Sequence, residues 1–286
     1  VVSGGIESTS SMRTGGVIAA AISLDSGHGR GVLMVLGIIA LIVVFVMVSS
    51  LTQNGARTTL EALEAGAVDF VGKPHSHIYD GVETMREELL SKIKMASRVR
   101  VRQRALESIQ QANTTSLAET TNKILAIGAS TGGTEALKDV LMGLPRNAPG
   151  TIIVQHMPSN FTGPFAERLN GLCAMEVREA RNGDSITPGV ALIVPGDYHM
   201  VVRRSGARYY VEIGSGEKVS GHRPSADVLF NSVAKIAGVN AIGVILTGMG
   251  GDGARGLLAM RNAGSRTIGQ DEASCIVYGM PKVAYD

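Results

Sequence analysis

Three side chains in the C-terminal half of the sequence could together perform acyl transfer: Ser130, His156 and Asp252. Ser130 is the centre of Gly128-Ala129-Ser130-Thr131-Gly132, a G-x-S-x-G run between the apolar stretch KILAIGA and TEALKDVLMGL, whose apolar spacing predicts an amphipathic helix. A serine in such a strand-to-helix turn is lifted above the end of a parallel sheet, and small neighbours let a substrate approach. Backbone N–H groups at the helix start favour a developing oxyanion. A hydroxyl is a weak nucleophile without a base, and His156 ends a second apolar run, GTIIVQHMP. If the two strands are parallel neighbours, both side chains emerge on one rim, where open α/β sheets bind ligands. Asp252, in Gly248-Met249-Gly250-Gly251-Asp252-Gly253 after AIGVILT, supplies a carboxylate to orient the imidazole and stabilise its charged form.

Each motif also has a plainer reading. Ser130 or Thr131 could simply cap the following helix. Gly248, Gly250 and Gly253 fit G-x-G-x-x-G between a strand and a helix, with Asp271 and Glu272 downstream, as a dinucleotide site requires. That alternative makes the chain a non-catalytic dinucleotide-binding or interaction module. A dinucleotide fingerprint normally opens the first β-α unit of its domain, whereas this one follows the equally glycine-rich unit that carries Ser130. The chain order Ser, His, Asp also departs from the Ser, Asp, His order of α/β-hydrolases.

The elements that must position these groups read as alternating strands and helices over residues 123–286, which predicts an α/β, doubly wound, mostly parallel sheet. Residues 81–122 read as a helical linker, basic between Lys92 and Arg104 and then polar through QANTTSLAETTN; the basic run is that of a solvated helix face. Within residues 1–80, the stretch from Val32 to Val48 nearly reaches the roughly 20 apolar residues of a bilayer span. Its end, VVFVMVSS, has the β-branched character of a buried strand. ARTTLEALEAGAVDFVGKP then predicts a helix with Leu60, Leu63 and Val68 on one side, a stop at Gly66, a strand AVDFV and a Lys-Pro turn. The first thirty residues show no sustained period. A chain of 286 residues with 44% hydrophobic and 18% charged residues suits a large α/β domain with a smaller partner. The net charge of +2 is too small for a general nucleic-acid or membrane-surface binder. Cys173 and Cys275 have no metal-ligand spacing, so they are expected as buried thiols in a reducing cytoplasm and no metal is expected.

VSSLTQNGARTTLEALEAGAVDFVGKP resembles the last third of a response-regulator receiver domain. There a Ser or Thr and a Lys flank the phosphorylated Asp, and the matching positions are Ser49 or Ser50 and Lys73. The acidic pair that opens a receiver has no counterpart, and Asp25 in ISLDSG is the one candidate phosphoacceptor, closer to Ser49 than the pattern wants. Residues 1–80 are therefore expected to form a partial or degenerate receiver-like α/β domain.

IGASTGGTEAL, VQHMPSNFT, HRPSADVLF, GVILTGMGGDGA and QDEASCIVYGMP resemble, in order and spacing, the catalytic domain of chemotaxis response-regulator protein-glutamate methylesterases. The resemblance implies Ser130 as nucleophile, His156 as general base and then acid, and Asp252 as orienting carboxylate. It places the Met249 N–H in the oxyanion hole. Thr131 and Gly250 are candidates beside it, and His222 and Arg223 in GHRPSADVLF are candidates for a rim facing the acidic surroundings of the substrate glutamate, although capping of the helix that begins at Ser225 explains Pro224-Ser225 equally well. The implied reaction is hydrolysis of glutamyl γ-methyl esters on chemoreceptor cytoplasmic domains, releasing methanol, with deamidation of receptor glutamines as a related activity. It implies no cofactor and no nucleic acid, a membrane association only through receptors, and a histidine kinase partner if the receiver works. Receivers of this family uncover the esterase cleft when phosphorylated; with the acceptor match confined to Asp25, phosphodonor activation is expected to be absent or impaired. The family domain usually runs on past VYGMP, so a C-terminal truncation is also expected.

Overall fold

VMVS and DFVG, separated by a helix with one apolar side, close a small parallel unit ahead of the main sheet. In the computed structural model the described residues are 46–49, 53–73, 78–96 and 123–286, all within one compact unit, Ile42–Asp286. Val46–Ser49 (β1) pairs in parallel with Asp69–Gly72 (β2), and Gln53–Glu64 (α1) connects them. The chain turns after α1 at Gly66, whose φ of 109° glycine adopts without the Cβ penalty. Leu60 and Leu63 are buried on α1 as their spacing predicts; Val68 is also buried, but in the connection to β2 and not on the helix. Ile78–Ala96 (α2) returns over this unit and packs Met85, Leu89 and Ala96 around Val71. The boundary expected between residues 80 and 81 falls inside α2, whose apolar side is shared with β2. Asp25, Ser50, the larger part of the Val32–Val48 run and the basic residues Arg98 to Arg104 lie outside the described residues. Among the described residues no helix is long and apolar enough to cross a membrane.

The main sheet is built from Ile124–Ala129 (β3), Gly150–Gln155 (β4), Glu176–Glu179 (β5) and Val190–Ile193 (β6), joined later by Ala241–Ile245 (β9) and Arg266–Gly269 (β10). Between them His199–Ser205 (β7) and Arg208–Gly214 (β8) form a separate antiparallel hairpin. The six sheet strands run in the order β10-β9-β3-β4-β6-β5, and every pair is parallel. The helices are Gly133–Met142 (α3), Ser159–Leu172 (α4), Ala226–Ile236 (α5), Ala254–Asn262 (α6) and Met280–Tyr285 (α7).

Alternation along β3 shows how the layers are made. Leu125, Ile127 and Ala129 point into a cluster with Leu137 and Leu141 of α3 and Phe161 and Phe165 of α4. Ile124 and Ala126 point into the opposite cluster, with Leu229 and Phe230 of α5 and Leu257 and Met260 of α6. Because both faces are covered, ILAIGA is a continuous apolar run and not an alternating one. The sheet is thus doubly wound, as the sequence predicts, and all of its strand pairs are parallel. The chain leaves β3 for β4 and later returns to β9 on the other side of β3, which makes the C-terminal ends of β3 and β9 a topological switch point. Cys173 and Cys275 are free but only half-buried, because they sit at the end of α4 and in the loop after β10; burial still pushes both thiols up to about 11.

Candidate active site

Beyond Ala129 the chain turns sharply at Ser130, and α3 starts at Gly133. The N-cap of α3 is Gly132, at φ 76°, and no side chain caps it, so neither Ser130 nor Thr131 has the capping role. The Ser130 backbone is held from several directions. Its N–H donates to the Thr247 carbonyl at 3.0 Å, and its own carbonyl accepts from the Gly133 N–H at 2.7 Å and from Gln155 Nε2 at 2.9 Å. Gly248 packs so close that a Cβ there would lie 2.7 Å from Ser130 Cβ. The glycine at this point of the loop therefore serves an approach to the serine, not an open cradle for a pyrophosphate. Asp271 is exposed and closes its own turn by accepting from the Ser274 N–H and hydroxyl, and Glu272 is exposed beside it.

The register Ala129↔Gln155 between β3 and β4 brings Ser130 and His156 to the next rung, where the His156 N–H donates to the Ala129 carbonyl at 3.1 Å. His156 Nε2 meets Asp252 Oδ2 at 2.8 Å, while its Nδ1 is buried and has no hydrogen-bond partner among the described residues. Asp252 is itself fully enclosed by donors. Ser225 Oγ donates to Oδ1 at 2.6 Å, and the Ala226 and Asp227 N–H groups donate to Oδ2 and Oδ1 at 2.7 and 3.2 Å. Those amides open α5, so the carboxylate sits on a helix N-terminus. Burial pushes its pKa upward, but the hydrogen bonds from His156, Ser225 and Ala226 and the charge of His156 outweigh burial and hold Asp252 below the usual carboxylate range.

The remaining expected groups divide. His222 lies flat on His156, with ring centroids 3.8 Å apart and planes 9° from parallel. Burial and the neighbouring His156 push its pKa down to about 4, so it is neutral at neutral pH. Arg223 is turned to its own loop, where Nη1 donates to the Gly216 carbonyl at 2.6 Å. Met249 and Gly250 are exposed at the tip of the loop after β9, and Ser91 Oγ of α2 lies 3.8 Å from Met249 Sδ. Thr131 is buried, and its hydroxyl donates to Asp69 Oδ2 at 2.5 Å. Asp69 belongs to β2; its other oxygen takes Lys92 of α2 at 3.2 Å, and next to it Phe70 stacks on Phe161 with centroids 4.4 Å apart. The β1–α2 segment thus abuts the turn that carries Ser130. Ser49 lies in β1 and Lys73 is exposed after β2. Among the described residues no group of three His, Cys, Asp or Glu side chains is placed to hold a metal ion.

Three residues complete the site without standing out in the sequence as parts of it. Ser225 was visible as a helix cap, and it does accept from the Val228 N–H, but its second bond to Asp252 is not a local property. Gln155 carried a signal, as the one amide at the end of an apolar strand beside His156. Asp69 carried none, since it reaches Thr131 across 62 positions of sequence.

A model of the CheB methylesterase family matches residues 125–286. The chain belongs to the CheB methylesterase family. Curated relatives align over still more of it. A protein-glutamate methylesterase/protein-glutamine glutaminase of Sulfurimonas denitrificans is 57% identical over 249 residues, covering 84% of this chain and 70% of that protein. The protein-glutamate methylesterase/protein-glutamine glutaminase 2 of Pseudomonas aeruginosa is 53% identical over 240 residues, covering 84% of this chain and 69% of that protein. The crystal structure of the Thermotoga maritima CheB methylesterase catalytic domain superposes with a TM-score of 0.56 at 36% identity, covering 58% of this chain and 88% of that one. The main sheet and its helices are the CheB catalytic fold, and the chain is a hydrolase of the CheB family. The dinucleotide-binding alternative falls with that membership.

Proposed function

We propose that Ser130, His156 and Asp252 hydrolyse glutamyl γ-methyl esters of chemoreceptor cytoplasmic domains, and deamidate receptor glutamines, in the adaptation arm of chemotaxis. The observation that carries this reading is the imidazole of His156, the residue on the rung beside Ser130: one ring nitrogen is engaged by a buried, ionised Asp252 and the other is buried without a hydrogen-bond partner among the described residues. A base held in that state has one place to put a proton.

The residues divide the reaction as follows. Nε2–H stays on Asp252, and Nδ1 accepts the Ser130 Oγ proton as the oxygen attacks the ester carbonyl. The tetrahedral oxyanion is met by main-chain N–H groups of Thr131 and Met249, which make no hydrogen bond among the described residues. Collapse breaks the bond to the methoxy oxygen, which leaves as methanol with the proton from Nδ1. Water, deprotonated by the same nitrogen, then attacks the acyl-enzyme and restores Ser130. With a glutamine substrate the leaving group is ammonia and the steps are otherwise the same. None of these steps calls on a metal or cofactor. The site works on receptor segments in the cytoplasm, with the β1–α2 segment beside it as the remnant of a receiver.

The deciding measurement is methanol release from a methylated chemoreceptor fragment by the native chain and by Ser130→Ala. Loss of at least about a thousandfold in the variant is expected, since the residual rate comes only from binding and oxyanion contacts. A variant that retains the native rate would remove Ser130 from the chemistry.

A further inference from the structure

His222 has no obvious business over the base unless it does something to it. Its ring makes no hydrogen bond among the described residues, and its principal contact is the flat stack on His156 at 3.8 Å and 9°. The backbone beneath it is fixed: the His222 and Val219 N–H and carbonyl groups pair reciprocally at 3.0 Å. Three residues further on, the same segment delivers Ser225 and the first amides of α5 to Asp252. One short stretch of chain therefore controls both constraints on His156, the edge through Asp252 and the face through His222.

A hydrogen bond to Nε2 alone leaves the imidazole free to tilt about the Nε2–Asp252 line. Tilt matters because Nδ1 lies on the opposite part of the ring and its lone pair must stay aligned with the Ser130 hydroxyl. A flat partner removes that freedom. We propose that His222 is a positioning residue for His156, a stacking plate that fixes the plane of the base so that Nδ1 is presented to Ser130. This rests on the assignment of His156 as the base made above.

The charges around His222 favour a neutral plate. Burial, His156, Lys218 of the loop after β8 and Lys92 of α2 all disfavour a proton on it, and Asp252 is the one group that favours one. An uncharged aromatic ring can then face the imidazolium that forms when His156 takes the serine proton, an arrangement of the cation–π kind.

The test uses the full chain and four forms: native, His222→Ala, His222→Phe and Ser130→Ala. Methanol release from a methylated receptor fragment is followed for kcat and KM, and ring-proton NMR of His156 is recorded without substrate. His222→Ala should lower kcat about ten- to hundredfold with little change in KM, in the range that loss of alignment costs. His222→Phe, which keeps a flat ring, should return kcat to within about threefold of native. The upfield ring-current shift of the His156 protons should vanish in the alanine variant and persist in phenylalanine. A native kcat in His222→Ala would overturn the proposal. So would a His222→Phe chain that keeps the ring-current shift but has the low kcat of His222→Ala, because the stack would then be present without positioning the base. Should Ser130→Ala remain active, it is the functional reading that fails, and the NMR comparison still decides whether His222 orders the ring.

Discussion

Asp252 and His222 show how a residue's surroundings set its chemistry. Asp252 is buried, which alone would favour the protonated acid, yet four donors converge on it and keep it ionised. Asp252→Asn keeps the volume but can hold the wrong imidazole tautomer, so kcat should fall about 10³- to 10⁴-fold with the fold intact by circular dichroism. His222 predicts a pH effect on stability. Its pKa drops from an ordinary 6.5 to about 4 on folding, so between those values the unfolded chain binds a proton that the folded chain does not. Stability should therefore decline as pH falls from about 6.5 to about 4, and it should decline less steeply in His222→Phe. Urea midpoints at several pH values across that window measure the difference, and parallel slopes in the two proteins would exclude His222 as the source.

At the scale of elements, the site depends on loops being held to one another across the switch point. Ser225 joins two jobs, capping α5 through the Val228 N–H and donating to Asp252. Ser225→Ala should cost about 1–2 kcal/mol in chemical denaturation and should also lower kcat, since it removes both a cap and a bond to a buried charge. The contact of Gly248 with Ser130 makes a complementary prediction. Gly248→Ala puts a Cβ 2.7 Å from Ser130 Cβ and against Met280, so the turn must shift. A loss in kcat of at least about tenfold is expected, with the thermal midpoint reporting the strain separately. An alanine variant with native kinetics would show that the loop gives way without moving the serine.

At the scale of the whole molecule, the β1–α2 segment and the catalytic sheet share one apolar cluster. Leu60, Leu63 and Phe70 lie in it with Leu137, Phe161 and Phe165, and Asp69 reaches the turn beside Ser130. Phe70→Ala should destabilise by about 3–5 kcal/mol if the unit unfolds as a whole, because it leaves a hole against Phe161. Limited proteolysis should then cut residues 46–96 before the catalytic domain. Phosphodonor control is expected to be absent or weak, since Asp25 is the one candidate acceptor that the sequence offers. Acetyl phosphate should leave the rate of methanol release unchanged, and a severalfold rise would show that a working acceptor exists.

Much of this was legible in the sequence, and for a local reason. The apolar run ILAIGA, the small residues around Ser130 and the turn-forming glycines after AIGVI act over a few residues, so strand, elbow and helix could be read in order along with the three chemically competent side chains. The doubly wound sheet followed from the alternation of those elements. What the sequence could not supply was any relation that depends on distant segments meeting. Strand order placed β9 beside β3 and so brought Asp252 to His156, and α5 turned its first amides toward that carboxylate. The loop before α5 laid His222 on the base, although its neighbours in sequence suggested a rim residue. Asp69 met Thr131 through a packing of helices that no local pattern encodes. Spacing along the chain names the groups able to react; only the tertiary structure decides which of them touch, because those contacts are made by side-chain packing between elements and not by the propensities within them.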